Sequence, residues 1–182
     1  QKARDELYKQ LLPLYRSLEA QGIQLFHFHT PDVRSFLRFH MPEKHGDSLR
    51  DVRPSLVRAN TEKRAVTGFE LGRIKSGFRN VFPLDYQGEH LGSVEFSVPF
   101  DQIRDAMSKL DRAKQYQLIL SKQAVYEKLF VKYRDQYPTS EINSRFVLDR
   151  SLSEGAKASS TPNALRKIDS LLGQDARSAA RM

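Results

Sequence analysis

The 182-residue sequence predicts an α+β fold: an antiparallel sheet of about five strands, a long helix before it and a helical extension after it. Three observations carry this. Two aromatic runs, Ile23 to His29 and Ser35 to His40, flank Thr30-Pro31-Asp32-Val33-Arg34 and read as strand, turn, strand, because Pro-Asp starts turns and aromatics favour pleated surfaces. Three further strand-like runs follow between 66 and 98. Ahead of them all, Leu7, Leu11, Leu14 and Leu18 recur at helical spacing.

The first helix spans Lys2 to Ala20, with Tyr8, Leu12 and Tyr15 widening its apolar stripe. Pro13 is expected to kink it or to open a second short helix, and Gly22 to end it in the left-handed region. In the first hairpin strand Leu25, His27 and His29 share one face and Phe26 and Phe28 the other; Phe36, Arg38 and His40 share a face of the second. Leu49, Val52, Leu56, Val57 and Asn60 predict a helix with Pro54 in an early turn and Ser48 or Asp51 as its cap. Val66 to Gly72, Phe78 to Tyr86 and His90 to Val98 are strands, the last two joined by a turn at Gln87-Gly88-Glu89. Asp101 to Lys114 reads as a helix, Tyr116 to Leu120 as a sixth strand and Lys122 to Tyr133 as a helix stopped by Pro138. Residues 151–161 have the composition of a linker, and Thr161-Pro162 opens a final helix ended by Gly173. The organisation expected is a leading helix over 1–21, a sheet domain over 22–114 and a partly helical extension over 115–182.

With 39% hydrophobic and 29% charged residues, the composition is that of a globular chain, and no apolar run approaches the roughly 20 residues needed to cross a bilayer. The absence of cysteine removes disulfides and thiolate metal sites. The net charge of +8 is spread along the chain, which reads as a solvated basic surface rather than a nucleic-acid footprint. The sequence opens without methionine inside a helix, so flanking segments are expected.

Arg38 is the sharpest candidate: mid-strand between Leu37 and Phe39, its guanidinium needs an anion, either a ligand carboxylate or phosphate or an internal partner such as Glu70 or Glu95. Arg79 is a second cation, with a solvated exit expected. Glu70 lies between Gly68 and Gly72, where a ligand can approach closely, and equally suits Arg38 or Arg53. Glu95, opposite Val94 and Phe96, is expected to face solvent or a partner helix. His27, His29 and His40 could hold a transition metal, but they lack a tight ligand spacing and read as hydrogen-bonded sheet residues. Gly46-Asp47-Ser48-Leu49 spells an esterase block, but no histidine base follows His90, so it reads as a turn with Asp47 folded onto its own backbone. Phe26, Phe28, Phe36 and Phe39 read as core rather than as a base-stacking sheet.

The outline of the fold fits a PAS-like sensor covered by helix on one face. Leu25-Phe26-His27-Phe28-His29, Pro31, Ser35-Phe36-Leu37-Arg38-Phe39-His40, Pro42, Lys44, Gly46-Asp47 and Arg53-Pro54 resemble, in order and spacing, the extracytoplasmic Cache sensor domains of bacterial chemoreceptors, sensor kinases and diguanylate cyclases. The likeness continues through Val66-x-Gly68-Phe69-Glu70-x-Gly72, Arg79-x-Val81-x-Pro83 and Leu91-Gly92-Ser93-Val94-Glu95-Phe96, covering about Gly22 to Val98. Leu118 to Phe130 is similar to the membrane-proximal part of some such receptors. The resemblance implies a periplasmic, membrane-anchored receptor without catalysis of its own. The reading that follows is a sensor for a small anionic molecule, with Arg38, His40, Glu70 and Arg79 as the site, His27 and Phe36 as its walls, no cofactor or metal, and a homodimer along the first helix. The alternatives are a dimerisation or protein-binding module of the same kind, or a nucleic-acid-binding domain.

Overall fold

The computed structural model describes residues 1–73, 76–114, 116–140 and 143–149, and the chain divides after Lys114 into two units. The first holds α1 (Lys2–Ala20), β1 (Leu25–His29), β2 (Ser35–Arg38), α2 (Pro54–Glu62), β3 (Val66–Glu70), β4 (Gly77–Tyr86), β5 (Glu89–Val98) and α3 (Phe100–Leu110). Its five strands lie in the order β2-β1-β5-β4-β3, every neighbouring pair antiparallel. The expected α+β outline is therefore the observed one.

Helix α1 is continuous through Pro13. Proline removes one backbone bond, but burial of Tyr15 with Leu7, Leu11, Leu12 and Leu18 against the sheet holds the helix together. Gly22, at φ +87°, turns the chain out, its N–H reaching Glu19 O at 2.9 Å while that of Ile23 reaches Leu18 O at 3.0 Å. On the sheet face beneath α1, Phe26 stacks with Phe39 (4.6 Å between centroids) and Phe96 (4.9 Å), and Leu37 and Val94 complete the cluster. Most of the leucine stripe is thus spent on the protein's own sheet, and Leu14 alone of the four points outward, about half exposed.

The opposite face is covered too, which corrects the expectation of a sheet clothed on one side. Leu56 and Ala59 of α2 pack with Val33, Leu49 and Val81 in a second apolar cluster. Pro54 is the first residue of α2 and Arg53 its N-cap position; neither Ser48 nor Asp51 caps it.

Strands β4 and β5 are joined by Gln87-Gly88, both with positive φ, in the turn geometry that suits a two-residue hairpin. The pairing slips between Leu84 and Asp85, and there Gly92 (φ +126°) lets β5 pass so close to β1 that an added Cβ would lie 1.9 Å from His29 O.

The second unit pairs β6 (Ile119–Ser121) with β7 (Phe146–Leu148) and buries Val125, Leu129, Tyr137 and Val147. The helix expected over Lys122 to Tyr133 is two pieces, α4 (Lys122–Lys128), capped by Ser121, and a 3-10 turn over Val131–Gln136. That expected over Asp101 to Lys114 is α3, which stops at Leu110 with a turn at Arg112 and Ala113 beyond it. The linker 151–161 and the final helix lie outside the described residues. Among the described residues no helix is long and apolar enough to cross a membrane.

Gly92→Ala is expected to lower the unfolding free energy by about 2 kcal/mol or more, since it adds both a backbone clash and a disfavoured φ. Gly46→Ala, where nothing lies within 4 Å of the added carbon, is the matched control. Equal denaturation midpoints for the two variants would contradict the close approach of β5 to β1.

Candidate functional site

Strand β5 runs through the middle of the sheet, so its alternation delivers Ser93, Glu95 and Ser97 to the α2 side while Val94 and Phe96 go to the α1 side. Pairing sets their neighbours: His27 and Val81 flank Glu95, His29 lies beside Ser93, and Arg79 beside Ser97. The segment 40–53 and α2 lie over this face, and the result is a buried polar layer. Glu95 is 0% exposed, His27 and His29 2%, and Arg79 6%.

Charge in this layer is matched. One oxygen of Glu95 accepts from Arg53 and, at 3.3 Å, from Arg79. Arg53 also donates to Glu70 on the edge strand β3, whose other oxygen accepts the backbone N–H of Ser55 at 3.1 Å, one of the unpaired donors of the first turn of α2. Arg53 and Glu70 therefore tie the helix start to the sheet. Burial works against the charge of Glu70, but the Arg53 guanidinium outweighs it and holds the carboxyl below its usual range. Burial likewise opposes the charge on Arg53, yet Glu95 and Glu70 together raise its pKa. Arg79 moves the other way, lowered by burial and by the nearby charge of Arg53.

The histidine rings of β1 lie 3.9 Å apart. His27 Nε2 is 2.8 Å from Ser35 Oγ, and His29 Nδ1 is 3.3 Å from Ser93 Oγ. Ser93 in turn accepts from Asn60 of α2 at 2.9 Å, and His90 Nε2 meets Asn60 Oδ1 at 3.0 Å. Burial pushes His27 well below its ordinary value and His29 down to about 3, so both imidazoles are neutral at physiological pH. Among the buried atoms without a hydrogen-bond partner, His29 Nε2 and the second oxygen of Glu95 face each other at 3.7 Å.

Arg38 stands at the edge of this layer, next to His27. Its fork donates to both oxygens of Asp47 at 2.7 and 2.8 Å, and also to Lys44 O at 2.7 Å. The Arg38 side chain is 14% exposed and that of Asp47 53%, so the pair opens to water on the carboxylate side.

Of the six residues read from the sequence, His27, Glu70 and Arg79 gather around Glu95, and Arg38 lies beside them. Phe36 packs against the aromatic cluster and His40 is exposed. They do not share a working face with Arg38, because pairing slips between Phe28 and His29 and β2 ends at Arg38. Further corrections concern charge. Arg79 has no solvated exit, Glu95 is shut off from water on the face that α2 covers, and the internal partner of Arg38 is Asp47, not Glu70 or Glu95. The carboxylate of Asp47 takes that guanidinium instead of only turning onto its own backbone. Of the two partners that the sequence offered Glu70, Arg53 is the observed one; sequence reasoning missed Arg53 as partner of Glu95, Asp47 as partner of Arg38, and the central role of Glu95.

These histidines make stability pH-dependent with a definite sign. Above about pH 6.5 both are neutral folded and unfolded; below it the unfolded chain takes up protons that the buried rings refuse, so stability falls. In chelator-containing buffer the unfolding free energy is expected to drop by about 1.4 kcal/mol per pH unit per histidine below pH 6.5, for His29 until about pH 3. Denaturant titrations that give a flat profile between pH 6.5 and 5 would contradict it.

No curated protein matches the chain. The family model described as the double sensory domain of two-component sensor kinases, dCache_3, matches residues 1–147, which covers the whole sheet, α2 and the polar layer between them. The chain belongs to this family of Cache-type sensory domains.

Proposed function

We propose that the chain is the extracytoplasmic part of a membrane-anchored bacterial receptor that senses a small anionic molecule at the Arg38 edge of the polar layer. The observation that carries this is the Arg38–Asp47 fork: a bidentate cation whose counter-ion sits on a half-exposed turn side chain at the mouth of a buried polar layer. A ligand carboxylate or phosphate offers the same two-oxygen geometry and takes the place of Asp47. Glu70, Arg79, His27 and His40 then belong to the surrounding field and walls rather than to the anchor, and no covalent chemistry is involved.

Release of Asp47 loosens the 44–48 turn, whose continuation carries Leu49 in the α2-side core and Arg53 on Glu95. On the other side of β2, Leu37 lies in the cluster that seats α1. The ligand therefore biases two arrangements of turn and helix by its different affinity for each, and α1 carries the bias toward the membrane. In the intact receptor a second copy would meet α1 through its outer face around Leu14, so the dimer forms there by tethering rather than by a deep apolar seam.

One observation favours a module that binds nothing small: Arg38, Arg53 and Arg79 all have a carboxylate of the protein itself. A thermal-shift screen over organic acids, amino acids, amines and nucleotides separates the two. Some acid is expected to raise the melting temperature; silence across all classes favours the module.

Substitutions at the fork give the sharper check. With an acid that stabilises the wild type, Arg38→Ala is expected to abolish the shift, and Asp47→Asn, which removes the internal competitor, to strengthen binding several-fold. An unchanged affinity in Arg38→Ala removes this fork from the site.

A further inference from the structure

The unpartnered atoms lie deeper, on the α2 face of β1 and β5. One ligand atom each of His27, His29 and Glu95 lies within 4.8 Å of the other two, all three residues buried. The geometry points to a binding site for a divalent transition-metal ion of the zinc or cobalt class, held by His27, His29 and Glu95. Nothing in the ligand reading above is needed for it, since Arg38 and Asp47 take no part.

Four features support the site. First, His29 Nε2 and Glu95 Oε2 are buried and lack any hydrogen-bond partner. With the ring proton on Nδ1 and donated to Ser93 Oγ, Nε2 turns a lone pair toward that carboxylate oxygen, an arrangement that a cation between them relieves. Second, they are 3.7 Å apart. Two donors at about 2.0–2.1 Å from a shared zinc ion at tetrahedral to trigonal angles stand about 3.3–3.7 Å apart, so this edge of the coordination shell is already formed.

Third, the other nitrogens are occupied as metal-binding imidazoles require. His29 Nδ1 faces Ser93 Oγ, itself fixed by Asn60, which leaves Nε2 of that ring for the ion, and His27 is anchored through Nε2 to Ser35 Oγ. Fourth, all three donor residues are buried, which keeps bulk solvent off an ion held between them. Two imidazoles and one carboxylate are a donor set that zinc uses where a fourth position stays open.

Arg53 and Arg79 oppose the ion, because both guanidiniums already lie on the other oxygen of Glu95. They make the site weaker than a closed structural zinc site and suit it to reversible occupancy. His40, the third histidine of the sequence pattern, is exposed; the sheet instead brings Glu95, which pairs with His27 across β1 and β5.

The test uses the whole chain, stripped with chelator and refolded with Co²⁺ so that closed packing does not hide the site, then read by metal content, visible absorption and melting temperature. One Co²⁺ per chain is expected, with the d–d bands of a low-coordinate site and a raised melting temperature, and Zn²⁺ should bleach the bands. His29→Ala is expected to lose them, while His40→Ala, His45→Ala and His90→Ala keep them. Should His29→Ala not fold, His27→Gln and the wild-type stoichiometry decide in its place. No bound cobalt in the wild type, or bands that survive loss of His27 or His29, overturns the inference.

Discussion

A carboxylate with no exposure to water, Glu95, is the constraint around which the rest of the first unit is arranged. An isolated buried charge of this kind is worth several kcal/mol of destabilisation, so its partners are obligatory rather than decorative. They come from two directions. Arg79 arrives from the neighbouring strand, and Arg53 from the segment that precedes α2. Because Arg53 also grips Glu70, and Glu70 receives the Ser55 N–H, one side chain fixes the edge strand, the central strand and the start of the helix at once.

That arrangement explains the asymmetry of the two sheet faces. Beneath α1 the contact is aromatic and aliphatic, a stack running from Tyr8 through Phe39 and Phe26 to Phe96. Such a face gives stability in proportion to buried apolar area and tolerates little rearrangement. Beneath α2 only part of the contact is apolar, and the remainder is ion pairs and histidines. Replacing such networks with apolar side chains often leaves a protein equally stable or more so. Stability therefore does not account for the polar layer, whereas a sensory domain has a use for a face whose partners can be exchanged.

Much of this could be read from residues alone, and the failures share a cause. The aromatic runs around Pro31-Asp32, the Gln87-Gly88 turn and the leucines of α1 are local signals, each decided within a few residues, and the strands and helix they imply are observed. Glu95 was misread because Ser93, Glu95 and Ser97 alternating with Val94, Phe96 and Val98 is the pattern of a sheet with one wet face. Its chief partner lies 42 residues earlier, and no local pattern joins them. Arg79 was misread in the same way. Asp47 escaped because a Gly-Asp turn is self-sufficient as local chemistry, while its role as counter-ion depends on β2 delivering Arg38 beside it. The α2 boundary was misjudged for a related reason: Ser48 and Asp51 are good caps in isolation, but Pro54 sets the first turn and a carboxylate from another strand meets its N–H.

Neutral histidines beside a paired carboxylate give this layer a particular chemical character. Every guanidinium in it has a carboxylate, yet hydrogen bonding is incomplete at His29 Nε2 and Glu95 Oε2. The layer is therefore balanced in charge but incompletely hydrogen-bonded where His29 meets Glu95, while at its rim Arg38 pairs with the half-exposed Asp47. His29 and Arg38 lie on adjacent strands, β1 and β2, joined through the His27–Arg38 pair. A change at either position is felt by the other through the 44–53 segment, since that segment supplies both Asp47 to the rim and Arg53 to the interior. On the function proposed above, this shared dependence, rather than any single contact, is what would let the α2 face respond.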